Sequence, residues 1–147
     1  MNGPIRVIIL DDEDTYRRKV CTWLAGADGI TVVGETNDAQ EALILIQEMR
    51  PDVVLLDVRT MQASASPIVA RIPAVSPGTR IVVLNEEGQE RAVLAAFREG
   101  ALGHLVKGRA GGNEIAAAIR LVNRGEAVLS PEVAGRILDK LIQEQRK

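Results

Sequence analysis

Aromatic side chains are nearly missing from this sequence: one Trp, one Tyr and one Phe make up 2% of its 147 residues. A core must be built from Val, Ile, Leu and Ala, and stacking on bases or sugars is disfavoured as a binding mode. There is one cysteine, Cys21, which excludes an intrachain disulfide. No apolar run approaches the roughly 18 residues needed to span a bilayer. The start, Met1-Asn2-Gly3-Pro4, lacks the basic segment and apolar stretch of a secretory signal. The expectation is a cytoplasmic protein with no membrane contact. A basic excess is also missing, because 18 Lys and Arg stand against 20 Asp and Glu for a formal charge of −2. Direct nucleic-acid binding by the chain is therefore disfavoured. What is present, 46% hydrophobic and 26% charged residues, suits a globular unit of one domain, or one domain and a short appendage.

Five short apolar runs rich in β-branched residues recur: Ile5 to Leu10, Ile30 to Gly34, Val53 to Leu56, Ile81 to Leu84 and Leu102 to Val106. Segments of helical period lie between them, such as Ala39, Ala42, Leu43 and Ile46, opened by Asp38 and Glu41 in a capping-box arrangement. Runs such as Val7-Ile8-Ile9-Leu10 and Val53-Val54-Leu55-Leu56 do not alternate with polar residues. That is the pattern of parallel strands covered on both faces, and it predicts a doubly wound α/β fold. After Gly125 a last helix is predicted from Ser130-Pro131-Glu132, which supplies an N-cap, a proline at the first position and an acid in the first turn. Val133, Ile137 and Leu141 give it an apolar stripe, expected to pack on the domain or on a partner chain.

In such folds the functional crevice lies beyond the carboxyl ends of the strands. Here those ends carry Asp11 and Asp12, then Asp57, Asn85 and Lys107. If the first and third strands are neighbours, three carboxylates converge, and they repel one another unless a cation joins them. Oxygen ligation with retained waters suits Mg²⁺. A carboxylate in such a place can also take a phosphoryl group as a nucleophile, helped by a metal and a lysine on the developing charge. Glu13 and Asp14 read more simply as acids opening the first helix.

The order Ile8-Ile9-Leu10-Asp11-Asp12-Glu13, Pro51-Asp52-Val53-Val54-Leu55-Leu56-Asp57, Ile81-Val82-Val83-Leu84 and Gly103-His104-Leu105-Val106-Lys107 resembles the receiver domains of two-component response regulators. The resemblance covers residues 4–125 and implies a flavodoxin-like, five-stranded parallel sheet of order 2-1-3-4-5 with an extra C-terminal helix. It implies that Asp57 accepts a phosphoryl group from a sensor histidine kinase in a Mg²⁺-dependent phosphorelay. Asp12 would ligate the metal directly and Asp11 mainly through water, with Asp57 and the main-chain carbonyl of Arg59 completing the protein ligands. Lys107 would contact the phosphoryl group. Such a domain is a phosphoacceptor whose only chemistry is on its own aspartate, rather than an enzyme. Residues 126–147 resemble the linker of NarL/FixJ-type regulators, which leads to a helix-turn-helix output domain that is absent here. DNA would be a partner only through such a domain. The surface from the helix before the fifth strand to the helix after it would carry the response, and the terminal helix with the Leu105 region offers surface for a homodimer.

Three positions depart from the family pattern. Asn85 and Glu86 stand where a Thr or Ser and a small residue are usual. Asn85 can donate an amide N–H to a phosphoryl oxygen, whereas Glu86 adds negative charge where a dianion arrives. His104 stands where the family keeps a switch aromatic, and is read as a half-buried packing residue, with a proton-sensing switch as the alternative. The loop from Arg59 to Pro67 lacks the usual Met-Pro and Gly, and its Ser64 and Ser66 read as plain loop residues. Cys21 and Trp23 read as packing residues, and Tyr16 as too early in its helix to replace the switch aromatic. The competing function is a pseudo-receiver, an interaction module without productive phosphorylation. A haloacid-dehalogenase-type phosphatase fits less well, because Lys107 is followed by Gly108, Arg109 and Ala110 rather than an acidic pair, and a flavodoxin lacks its phosphate cradle.

Overall fold

Val7 to Leu10 and Val53 to Leu56 are without exposed surface, so the unbroken apolar runs are covered on both faces. A computed structural model describes residues 3–61 and 68–146. Ser64, Ser66 and the other residues of 62–67 lie outside the described residues, whereas Arg59 to Met61, read as loop, belong to a short helix. The strands are β1 (Ile5–Leu10), β2 (Ile30–Thr36), β3 (Val53–Asp57), β4 (Arg80–Asn85) and β5 (Gly103–Val106), and the helices are α1 (Asp14–Ala25), α2 (Ala39–Met49), α3 (Val58–Met61), α4 (Ile68–Val75), α5 (Glu90–Arg98), α6 (Gly112–Asn123) and α7 (Pro131–Gln145). The sheet is entirely parallel in the order β2-β1-β3-β4-β5, as expected of a flavodoxin-like fold.

Strand residues alternate between two cores. Val7, Ile9, Val53, Leu55, Val82 and Leu84 pack with Val20 and Leu24 of α1 and Ile115 and Ile119 of α6. Ile8, Leu10, Val54, Leu56, Ile81 and Val83 pack with α2, α4 and α5, and Val133 of α7 joins this second core. Each buried Val, Ile or Leu side chain contributes about 1.5–3 kcal/mol by leaving water, which offsets the missing aromatics. α1 and α6 approach closely at Gly112, where an added Cβ would lie 2.8 Å from Trp23. Trp23 is thus a packing residue, as expected.

Some boundaries differ from expectation. β2 runs on to Thr36, and its register with β1 slips between Val7, paired with Val32, and Ile8, paired with Gly34. Val33 is the extra residue of this bulge. Leu102 lies just before β5 rather than within it. Only half of the capping box at α2 forms: Asp38 Oδ2 accepts from the Glu41 N–H at 2.9 Å, but the Asp38 N–H turns to Thr36 Oγ1 at 3.1 Å. Cys21 packs as expected and also donates its S–H to Glu35 Oε2 at 3.1 Å. Burial and this acidic neighbour push its thiol up to about 12, so it is not a nucleophile at neutral pH.

The C-terminal helix forms as predicted, with Ser130 Oγ accepting from the Val133 N–H at 3.2 Å and Pro131 in the first turn. Val133 is buried, Ile137 is half-buried against the second core, and Leu138, Leu141 and Ile142 are exposed. Ahead of it, Val128 pairs with the β5 backbone, its N–H donating to the Leu102 carbonyl at 3.1 Å and its carbonyl accepting from His104 at 2.9 Å. No helix among the described residues is long and apolar enough to cross a membrane.

Candidate functional site

Because β1 and β3 are neighbours, with Leu10 in register with Leu56, the residues that follow them meet at one end of the sheet. Asp11, Asp12 and Asp57 each bring a carboxylate oxygen within 4.8 Å of the others. Asp11 and Asp57 are buried, and Asp12 is exposed. From β5, the Lys107 ammonium reaches 2.8 Å from Asp11 Oδ2 and 2.9 Å from Asp57 Oδ2. It is aimed there by the Lys107 N–H, which donates to the Asn85 carbonyl at 2.7 Å. Gly108 then turns the chain away with a φ of +87°, which L side chains rarely adopt. The Glu13 N–H donates to Asp11 Oδ1 at 2.9 Å, so the carboxylate also anchors the start of α1.

Arg59 adds a second cation. Its N–H donates to Asp57 Oδ1 at 3.0 Å, and its guanidinium donates to Asp57 Oδ2 through Nη2 at 3.1 Å and Nε at 3.3 Å. The same Nη2 lies 3.2 Å from Asp12 Oδ1 and 3.5 Å from Glu13 Oε2. Burial opposes the charged form of Asp57, but the Arg59 N–H, Lys107 and the Arg59 guanidinium outweigh it and hold the carboxyl below its ordinary range. Asp11 is less well served: burial outweighs Lys107 and the Glu13 N–H and raises it. Burial also disfavours the Lys107 ammonium, but the adjacent Asp11 and Asp57 carboxylates prevail and raise its pKa.

Asn85 and His104 form a pair. Val83 is in register with His104 and Asn85 with Val106, so Asn85 and His104 are diagonal neighbours on one face. His104 Nδ1 lies 3.2 Å from Asn85 Oδ1, and its Nε2 accepts from the Ser130 N–H at 3.2 Å. That assigns the proton to Nδ1, which donates to Asn85. The Asn85 amide N–H donates to the Glu86 carbonyl at 3.1 Å rather than into the crevice. His104 is more buried than expected, at 4% exposed, and packs edge-on to Phe97 at 6.1 Å between centroids. It fills the place of an aromatic while linking the end of β4 to the first turn of α7.

Residues 7–120 match the family model described as the response regulator receiver domain. The chain belongs to the receiver domain family. Among curated proteins, this receiver is 33% identical to response regulator GacA of Pseudomonas protegens over 95% of its own length and 65% of the relative's. It is 32% identical to transcriptional regulatory protein LiaR of Bacillus subtilis over 93% of its length and 64% of the relative's. The chain thus spans just under two thirds of the relatives it matches. Among solved structures, it superposes on the signal receiver domain of the response regulator NarL from Mycobacterium tuberculosis with a TM-score of 0.77 and 30% identity, covering 85% of this chain and all of that one. A two-component response regulator of the LuxR family from Aurantimonas gives 0.79 and 25% identity over 95% of this chain and 99% of that one.

The receiver's acidic pocket fits a Mg²⁺ ion. Its donors are hard carboxylate oxygens from two adjacent strand ends, and the buried Asp11 Oδ2 has no well-directed hydrogen bond despite the nearby ammonium. Two participants escaped the sequence reading. Tyr16, on the buried stripe of α1, lies with its ring centroid 4.5 Å from Lys107 Nζ, a cation–π contact that helps hold the ammonium in place. Its hydroxyl is buried without a partner among the described residues. The other is the Arg59 side chain, since only its carbonyl was expected to matter. An arginine two residues after a carboxylate at a strand end was the available signal.

Proposed function

We propose that this receiver takes a phosphoryl group on Asp57 from a sensor histidine kinase and relays the change through α5, β5, α6 and the linker into α7. The observation that carries this reading is a buried carboxylate, Asp57, in contact with Lys107 and beside the acidic pair Asp11 and Asp12, with the Arg59 N–H and Lys107 holding its pKa low. In the transfer an Asp57 oxygen bonds to phosphorus as the donor's bond to phosphorus breaks. Lys107, already 2.9 Å from Asp57 Oδ2, would follow the charge onto the phosphoryl oxygens. Asp11, Asp12, Asp57 and the Arg59 main-chain carbonyl would hold Mg²⁺. A bound Mg²⁺ supplies charge neutralisation to the phosphoryl oxygens. Asn85 would turn its amide N–H from the Glu86 carbonyl to a phosphoryl oxygen, a movement that His104 would transmit to Ser130.

The receiver unit in this reading is residues 4–125, with 126–147 as the linker and its helix. LiaR is named a transcriptional regulatory protein, and about a third of the relatives' own length lies outside the match. A DNA-binding output beyond α7 is part of the proposal on that ground. The second reading, a pseudo-receiver, is favoured by the Arg59 guanidinium bonded to Asp57, itself 1% exposed, and by the Asn85 amide turned to the Glu86 carbonyl rather than into the crevice. Incubation with MgCl₂ and a small acyl phosphate, followed by intact-mass analysis, decides between the two. One added phosphoryl group, lost in Asp57→Asn, is the expected result. An unmodified wild type under conditions that label an ordinary receiver would establish the pseudo-receiver.

A further inference from the structure

The pocket holds four carboxylates, of Asp11, Asp12, Glu13 and Asp57, against two cations, Lys107 and Arg59. The two cations are held differently. Lys107 is buried and touches Asp11 and Asp57, whereas the Arg59 side chain is 39% exposed and lies across the mouth, bridging Asp12 and Asp57. These are two of the three carboxylates a metal would use. A divalent cation binding these carboxylates would compete with the guanidinium for their lone pairs and repel its charge.

Arg59 has somewhere else to go. Asp57 is in register with Leu84, so Arg59 and Glu86 each stand two residues beyond a matched pair on adjacent strands. Glu86 is exposed, and its charge already contributes to the raised pKa of Arg59, after Asp57 and Asp12. In the described contacts the Glu86 carboxylate makes no ion pair, and its main chain is fixed by its N–H donating to Gln89 Oε1 at 2.7 Å. A carboxylate without an ion pair among the described contacts thus stands on a fixed backbone near the partly exposed cation.

We infer that Arg59 is a displaceable counterion: it neutralises Asp12 and Asp57 and transfers to Glu86 when a divalent cation enters. The inference rests on the reading of Asp11, Asp12 and Asp57 as the Mg²⁺ site. It gives Glu86, a liability on its own, a task beside an approaching dianion. The acid receives the arginine and is neutralised by it. It also means that Mg²⁺ and Arg59 compete, so the affinity of the pocket for the ion is set by how readily the arginine leaves.

The test is a double-mutant cycle of wild type, Arg59→Ala, Glu86→Gln and the double variant, each titrated with MgCl₂ by calorimetry without any phosphodonor. Arg59→Ala is expected to bind Mg²⁺ about fivefold more tightly, the equivalent of about 1 kcal/mol for one partly exposed ion-pair bridge. Glu86→Gln is expected to weaken binding in wild type and to have no effect once Arg59 is gone. Melting in EDTA adds a second readout, with Arg59→Ala less stable than wild type and gaining more from Mg²⁺. Arg59→Gln serves in the same cycle if the alanine variant does not fold. Unchanged or weaker binding in Arg59→Ala overturns the inference, as does equal weakening by Glu86→Gln in both backgrounds, since that is a plain field effect. Both of those results leave the metal site standing. Absence of saturable binding in all four proteins overturns the metal site itself and the inference with it.

Discussion

His104 is neutral in the fold because burial lowers its pKa below the ordinary 6.5 and because Nε2 must stay unprotonated to accept from Ser130. The unfolded chain takes up a proton more readily than the folded one. The stabilising contribution is therefore complete above about pH 6.5 and is lost as the pH falls from there toward the folded-state value. Urea unfolding between pH 7.5 and 5.5 is expected to show wild type losing stability across this window while His104→Phe loses less. Equal slopes in the two proteins would mean that His104 does not titrate on unfolding. At this scale the sequence was legible where one residue acts through its own position. Asp57 and Lys107 stood out because each ends a strand at the end of the sheet where such crevices form. Arg59, Tyr16 and the Asn85–His104 pair were not legible, because each acts through a side chain whose direction depends on register and rotamer. Glu86 still places negative charge at the end of β4, and only the proposed transfer of Arg59 would neutralise it.

Among the elements, α7 lies against the body with most of its length exposed. Val133, Ile137, the exposed Arg98–Glu144 pair and the Ser130 N–H bond to His104 hold it to the body, and the Ser130 hydroxyl caps its own first turn. Exposed ion pairs contribute little, so the cap carries a large share of the helix's local stability. Ser130→Ala is expected to cost about 1 kcal/mol. Hydrogen exchange should quicken at the α7 amides from Val133 on, while β1 and β3 amides are unchanged. The elements themselves were readable because short β-branched runs and helical periods alternate without ambiguity. Their ends were less so: the bulge at Val33 and the extension of β2 to Thr36 come from pairing with β1, which no local pattern reports. The same holds for the capping box at Asp38, where Thr36 competed for the N–H.

For the whole molecule, the scarcity of large aromatics means that stability is spread over many small side chains on two faces of one sheet, with no single anchor. Such a molecule depends on every strand being covered. β2 and β5 are the outermost strands of the sheet, and an outer strand carries unpaired N–H and carbonyl groups that can recruit a strand from another chain. The backbone around Val128 takes up two of those groups, the Leu102 carbonyl and the His104 N–H. With a net charge of only −2, the surface offers little repulsion to prevent such recruitment. A chain ended at Gly125 is expected to form higher-mass species in light scattering at concentrations where the full chain does not. The few residues between the last two helices thus act as a guard strand, so the point at which the domain looks finished is three residues short of where its sheet is safely closed.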